Sequence, residues 1–297
     1  MIQVEIEHIS RYRYDQPVSF GAHQLFLYPR ENQVVRAQDF KLEAYPAVTT
    51  RWVRDCFENV VVRTDFGLAI SERLEFTANI QVRLRIENPF DFILDPHAMA
   101  YPMRYHPHER QALGAYLREG VGPGANRVLD WFYGAVENPI RSDNIVTFLS
   151  EINVAIFNDI SYQRRDEMGI QTPDETLELR SGSCRDMAVL MIALCRQLGL
   201  AARFVSGYLY DPPPAEGEED HSFNRARGSM HAWVEIYLPG AGWKGFDPTN
   251  GILANHYFIP TAVSSDPSWV NPIQGRYFHD EPVGSHMEVE LNIREIP

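Results

Sequence analysis

Apolar and polar residues alternate along the first ~95 positions of the chain. Ile2, Val4 and Ile6 alternate with Gln3, Glu5 and Glu7, and Phe76, Ala78, Ile80, Val82, Leu84 and Ile86 alternate with polar neighbours. A period of two puts the apolar set on one face of a pleated strand and leaves the other face wet. Pro29, Pro46 and Asp65-Phe66-Gly67 punctuate these runs, which predicts a β-sandwich or barrel-like module over 1–95. A Pro- and His-rich stretch at about 88–107 reads as a linker. Helical spacing then takes over at 109–117, 125–133, 142–156 and 174–179; in the third, Ile145, Phe148, Leu149 and Ile152 share a face. The best-signed helix starts at Cys184: Ser183 and Asp186 form a capping pattern, Met187, Met191, Leu194 and Leu198 form one stripe, and Gly199 supplies the stop. Strands return at 201–210, 230–238 and 287–293, the last closing a sheet edge. Between the first two lies a polar insertion, 211–229, with Pro212-Pro213-Pro214 and the acidic run 216–220, predicted to be a flexible loop. The pattern predicts an α+β protein: an all-β N-terminal domain (1–95), then helices packed on an antiparallel sheet (96–297).

Composition narrows the function classes more than the fold. The 297 residues carry 40 acidic and 27 basic side chains, a net charge of −13, which argues against non-specific nucleic-acid or anionic-membrane binding. Three cysteines, Cys56, Cys184 and Cys195, do not make a disulfide framework, and a reducing compartment follows. The N-terminus lacks the apolar run of a signal peptide, and no stretch approaches the ~20 apolar residues of a membrane span. A cytoplasmic protein is expected.

Cys184 falls in the first turn of its helix, where backbone N–H groups point outward and the helix dipole favours a thiolate. His231 opens a strand, with Trp233, Glu235 and Tyr237 on its face and Ala232, Val234, Ile236 and Leu238 on the other. Asp247 follows sixteen residues later, and a hairpin through 239–242 would bring it to the imidazole. A thiolate, a histidine that moves the proton and a carboxylate that orients the ring form a Cys/His/Asp triad for attack on a carbonyl. The Cys184 N–H is a candidate oxyanion donor, because amides of a first helical turn lack internal partners.

Gly182-Ser-Cys-Arg-Asp186, Ala201 to Tyr208, His231-Ala-Trp-Val-Glu235 and Gly242-Trp-Lys-Gly-Phe-Asp-Pro-Thr-Asn250 together resemble the bacterial transglutaminase-like family, within the papain-like thiol superfamily. The stretch Glu7 to Val18 with Pro29-Arg30, and Asp55-Cys-Phe-Glu-Asn-Val60, resemble the β-rich region often joined to that core. Glu58 stands where such chains more usually carry glycine. The resemblance implies a papain-like core in which Cys184, His231 and Asp247 are nucleophile, base and orienting acid. It covers nearly the whole chain.

Each residue also has a plainer reading. Cys195 lies on the helix interior beside Met191 and Leu194, and it and Cys56 read as structural. Asp186 is assigned to helix capping. Trp243 is assigned to packing, as is Trp233 in the first instance. Tyr162 and Trp233 are carried as candidates for a second oxyanion donor or a pocket wall. His97, His106 and His108 fit no zinc spacing and read as solvated linker side chains. No metal and no cofactor are expected, calcium included. The function expected is a cysteine-dependent acyl-transfer enzyme acting on peptide or side-chain amides through a thioester, hydrolytic in the first instance. A protein-glutamine transamidase or deamidase is the alternative within the chemistry, and a non-enzymatic peptide-binding protein is the alternative outside it. The partner expected is a peptide or protein substrate, with neither nucleic acid nor membrane.

Overall fold

Period-two alternation becomes a pair of packed sheets wherever the apolar faces find one another. The computed structural model describes residues 1–118, 125–165, 169–212, 224–225 and 230–297. The 19-residue strand Ile2–Phe20 pairs with Ile70–Leu84 on one side, and Val35–Tyr45 lies beyond that partner. On its other side it pairs with Ser285–Ile296, in register from Gln3↔Ile296 to Tyr14↔Ser285, and with Tyr277–Phe278. A second sheet runs Ile273–Gln274, His23–Leu25, Val60–Asp65, Thr49–Arg54. Val4, Ile6, Phe76, Ala78, Ile80 and Leu84 are fully buried between them, as their alternation requires. The last strand therefore does more than close an edge. It returns from the far end of the 96–297 stretch, so the β-rich module is built from both ends of the chain.

The stretch 88–107 is docked rather than free. Asp95 donates its N–H to Pro239 O at 3.0 Å, Tyr101 bridges Ser142, and Ala98, Tyr101, Met103 and Tyr105 are buried in the main core. Tyr105 is pinned at its tip: its hydroxyl donates to Tyr237 O at 2.9 Å and accepts from Ala201 N–H at 2.9 Å. His97, His106 and His108 stay exposed, with the rings of His97 and His106 4.2 Å apart.

The rest is an antiparallel sheet in the order Ile252–Leu253, Gly242–Asp247, His231–Leu238, Ala202–Leu209, Phe258–Ser264. Helices Ala125–Ala135, Ile145–Asp159, Pro173–Leu179 and Cys184–Gln197 form the other layer. Ala232, Val234, Ile236 and Leu238 join Met187, Leu190, Met191 and Leu194 in one buried cluster, which seats the cysteine helix on the histidine strand. The segment expected as a helix over 109–117 is a short helix, Pro107–Ala112, followed by a 3₁₀ turn. Of the loop expected at 211–229, residues other than Asp211, Pro212, Asn224 and Arg225 lie outside the described residues. No helix among the described residues is long and apolar enough to cross a membrane.

Candidate active site

The nucleophile is placed by its helix cap. Asp186 accepts the Ser183 N–H and hydroxyl, both at 2.8 Å, so the helix begins at Cys184. Asp186 is fully buried and does more than cap. It also accepts from Arg165 Nη1 at 2.9 Å and from Gln171 N–H at 2.8 Å, which ties two other segments to the first turn. Burial disfavours its charge, but these four donors outweigh burial and hold its pKa below the usual carboxylate range. Gly182 is required here, since a Cβ would sit 2.9 Å from Asp186 Cβ. Two cysteines of one helix then differ sharply. Cys184 stands at the N-terminus with 7% of its surface exposed, whereas Cys195 is fully enclosed and burial pushes its thiol up to about 12.

The histidine and aspartate are brought together by strand register. His231–Leu238 pairs antiparallel with Gly242–Asp247, Val234 opposite Phe246, which puts Asp247 on the His231 face one diagonal step away. His231 Nε2 lies 2.8 Å from Asp247 Oδ2, with both side chains fully buried. A carboxylate can only accept, so Nε2 carries the proton and Nδ1 is left as the base. Nδ1 is buried with no hydrogen-bond partner among the described residues, and Cys184 is a neighbour close enough to act on the ring. Burial alone would favour a neutral ring. Asp247 and then Cys184 outweigh it and raise the His231 pKa to about 10.

Asp247 is itself held on every side. Its Oδ1 accepts from Thr249 N–H at 3.0 Å, its Oδ2 from Asn250 Nδ2 at 2.6 Å, and its carbonyl from Gly251 N–H at 2.8 Å. Asn250 in turn accepts from Arg225 N–H at 3.0 Å. Asn250 is a site residue beyond those expected from the sequence. Its signal was the Asp-Pro-Thr-Asn-Gly run, whose turn chemistry folds the amide back onto the carboxylate.

Tyr162 pairs with Gly182 in a two-residue parallel bridge, which sets it across from the cap of the nucleophile helix. It is half-buried and packs against the main core. Trp233 is buried against the rings of His231 (6.2 Å between centroids) and Phe258 (5.2 Å). It fills space left by Gly207, where an added Cβ would come within 2.8 Å of the indole. Its place in the structure is to back the imidazole. Trp243 packs beneath Arg203, whose guanidinium lies 4.1 Å from the ring. Cys56 is an exposed free thiol.

Comparison with known proteins bears on the family and the fold. Residues 136–248 match the transglutaminase-like superfamily, and residues 4–83 match the bacterial transglutaminase-like N-terminal region. An uncharacterized protein of Mycobacterium tuberculosis is 34% identical over 138 residues, covering 44% of this chain and 42% of that protein. The chain thus spans about two fifths of the length of the mycobacterial relatives it matches. A protein-glutamine gamma-glutamyltransferase of Pseudomonas aeruginosa is 36% identical over 78 residues, 26% of this chain and 11% of that protein. Among solved structures, a Cytophaga hutchinsonii protein named "putative cysteine protease" superimposes with a TM-score of 0.71 over 100% of this chain and 91% of that one. At 16% identity this is a likeness of fold. The chain carries a transglutaminase-like core joined to a bacterial transglutaminase-like N-terminal region.

Proposed function

We propose that this transglutaminase-like chain is a cysteine-dependent acyl-transfer enzyme that hydrolyses peptide or side-chain amides. One observation carries the reading: a buried imidazole takes Asp247 at 2.8 Å on Nε2, keeps Nδ1 without a hydrogen-bond partner among the described residues, and has Cys184 as a neighbour that acts on the ring. In the proposed cycle the Cys184 sulfur attacks the amide carbonyl and the C–N bond breaks. Protonated His231 gives its proton to the departing amine, and a thioester remains. Neutral His231 then takes a proton from water, whose oxygen displaces the sulfur and releases the acid. The Cys184 N–H, at the first helical position, is the donor proposed for the oxyanion, with Tyr162 across the bridge as the candidate second donor.

Water is the acceptor that any solvent-connected thioester meets. Transfer to an amine requires the site to bind that amine and hold water off. Hydrolysis is therefore the first reading. Transfer to a lysine-type amine is the second, favoured by the match to the Pseudomonas aeruginosa gamma-glutamyltransferase. The test is mass spectrometry of Cys184 after incubation with a panel of peptide amides, with and without a primary amine. A transient acyl adduct on Cys184, absent in Cys184→Ala and released as free acid, is expected. A panel that never acylates Cys184 would favour a peptide-binding protein, and release as a substituted amide would make it a transamidase.

A further inference from the structure

The β-rich module meets the catalytic sheet at the residues that back His231. Gly207 is the cross-strand partner of His231, and Pro260 of the neighbouring strand lies opposite Gly207 on its other side. There Phe258–Ser264 is bulged between Pro260 and Ala262 and presses onto Gly207, where an added Cβ would come within 2.2 Å of Ile259 O and 2.9 Å of Pro260 Cα. Three contacts from the module converge on this spot. Arg30 donates its N–H to Pro260 O, at the bulge itself, at 2.7 Å. Asn59, fully buried, accepts from Val263 N–H and donates to Val263 O, both at 2.8 Å, as a strand neighbour would. His8, also buried, is bonded through Nδ1 to the hydroxyl of Tyr208, the residue after Gly207, at 3.0 Å.

Each contact is braced on its own side. Asn59 is gripped by Asp55 through its N–H at 2.9 Å and its amide at 2.7 Å, and its oxygen also takes Arg30 Nη1 at 2.6 Å. His8 Nε2 meets Ser10 Oγ at 2.9 Å. Around them Tyr208, Tyr210 and Ile259 of the core are buried in the module's own apolar cluster. Buried polar groups satisfied in this way specify one arrangement of the strands they join, because any shift leaves several groups unpaired at once.

We propose that Asn59, Arg30 and His8 are positioning residues for His231, so that the β-rich module sets the geometry of the catalytic sheet. None of them touches the reacting atoms. They hold the two strands behind the imidazole, and a sheet free to slide by a fraction of an ångström would move Nδ1 away from the sulfur. The inference rests on the acyl-transfer reading of the site.

The test is the rate of Cys184 alkylation by iodoacetamide against pH, resolved peptide by peptide from Cys56 and Cys195, on the full chain well below its melting temperature. Asn59→Leu and His8→Leu are expected to move the profile about one pH unit upward, which slows the reaction about tenfold at pH values below the parent's rise. His8→Asn, which keeps a hydrogen-bonding group towards Tyr208, is expected to restore the parent profile. Trp52→Ala, which alters an exposed side chain of the same module, is expected to leave it unchanged. Folded Asn59→Leu and His8→Leu with lowered melting temperatures but the parent profile would overturn the inference and leave the module a purely stabilising partner. If these two variants do not fold, Tyr208→Phe and Asn59→Asp decide between the same two outcomes. His231→Ala separates the levels. A parent-like rate there overturns the acyl-transfer reading and this inference with it, while a slow His231→Ala beside a parent-like Asn59→Leu overturns the inference alone.

Discussion

His8 and His231 are buried to the same depth, each 2% exposed, and stand on either side of the contact between the β-rich module and the catalytic sheet. His8 is bonded to two hydroxyls, those of Tyr208 and Ser10, and burial lowers its pKa to about 4. His231 suffers burial in the same direction, yet Asp247 and Cys184 reverse it and carry the pKa to about 10. Depth is common to both, so it cannot account for the difference. An ionised neighbour does, because in a medium of low dielectric one carboxylate outweighs the lost hydration of an imidazolium. A hydroxyl can donate to a neutral ring or accept from it, so the site of His8 suits an uncharged tie between strands. The site of His231 suits a ring that keeps its proton.

The largest expected effect comes from making the second site resemble the first. Asp247→Asn replaces the carboxylate by a neutral partner, so His231 should titrate below its ordinary value, as His8 does. Acylation of Cys184 should slow by about a hundredfold or more while the fold persists. An unchanged acylation rate, with the melting temperature intact, would remove Asp247 from the mechanism.

Stability against pH separates the two rings next. The folded-state pKa of His8 is depressed, so between about 4 and the unfolded value near 6.5 the unfolded chain binds the extra proton. Its contribution is complete above pH 6.5 and is lost as pH falls to about 4, by up to about 3 kcal/mol. Urea unfolding at a series of pH values should show this loss in the parent and a flatter curve in His8→Asn. His231 acts with the opposite sign. Its folded pKa is raised, so its contribution is complete below pH 6.5 and is lost as pH rises towards 10. The alkaline loss should vanish in Asp247→Asn and survive in His8→Asn. If both variants alter the same limb, the contrast between the two sites fails.

The smallest effect touches neither ring. Glu58 holds φ at +61° in the turn between Asp55 and Asn59, a conformation that costs a residue with a Cβ. Glu58→Gly should raise stability by up to about 1 kcal/mol, read from thermal melts, and leave Cys184 alkylation untouched.

Local chemistry was legible in the sequence where one residue's neighbours along the chain define its setting. The cysteine helix, its Ser183–Asp186 cap and its Gly199 stop appear as read. So does the hairpin that returns Asp247 to His231. Partnership across the fold was less legible. Alternation shows which face of 287–293 is apolar but not which strand it pairs with, and that strand turned out to flank the first one. Tyr101, Met103 and Tyr105 alternate too, but prolines and histidines among them gave the stretch the look of a linker. Asn59 and Val263 are 204 residues apart, and no local pattern announces an amide that stands in for a strand.

The pairing of sulfur and imidazole is tested most directly by the pH dependence of Cys184 alkylation in the parent and in His231→Ala. A thiolate held by the imidazolium gives a rate already near its plateau at neutral pH in the parent, and a profile that climbs only towards the ordinary thiol range, about 8.5, once the ring is gone. Superimposable profiles, both rising near 8.5, would contradict it.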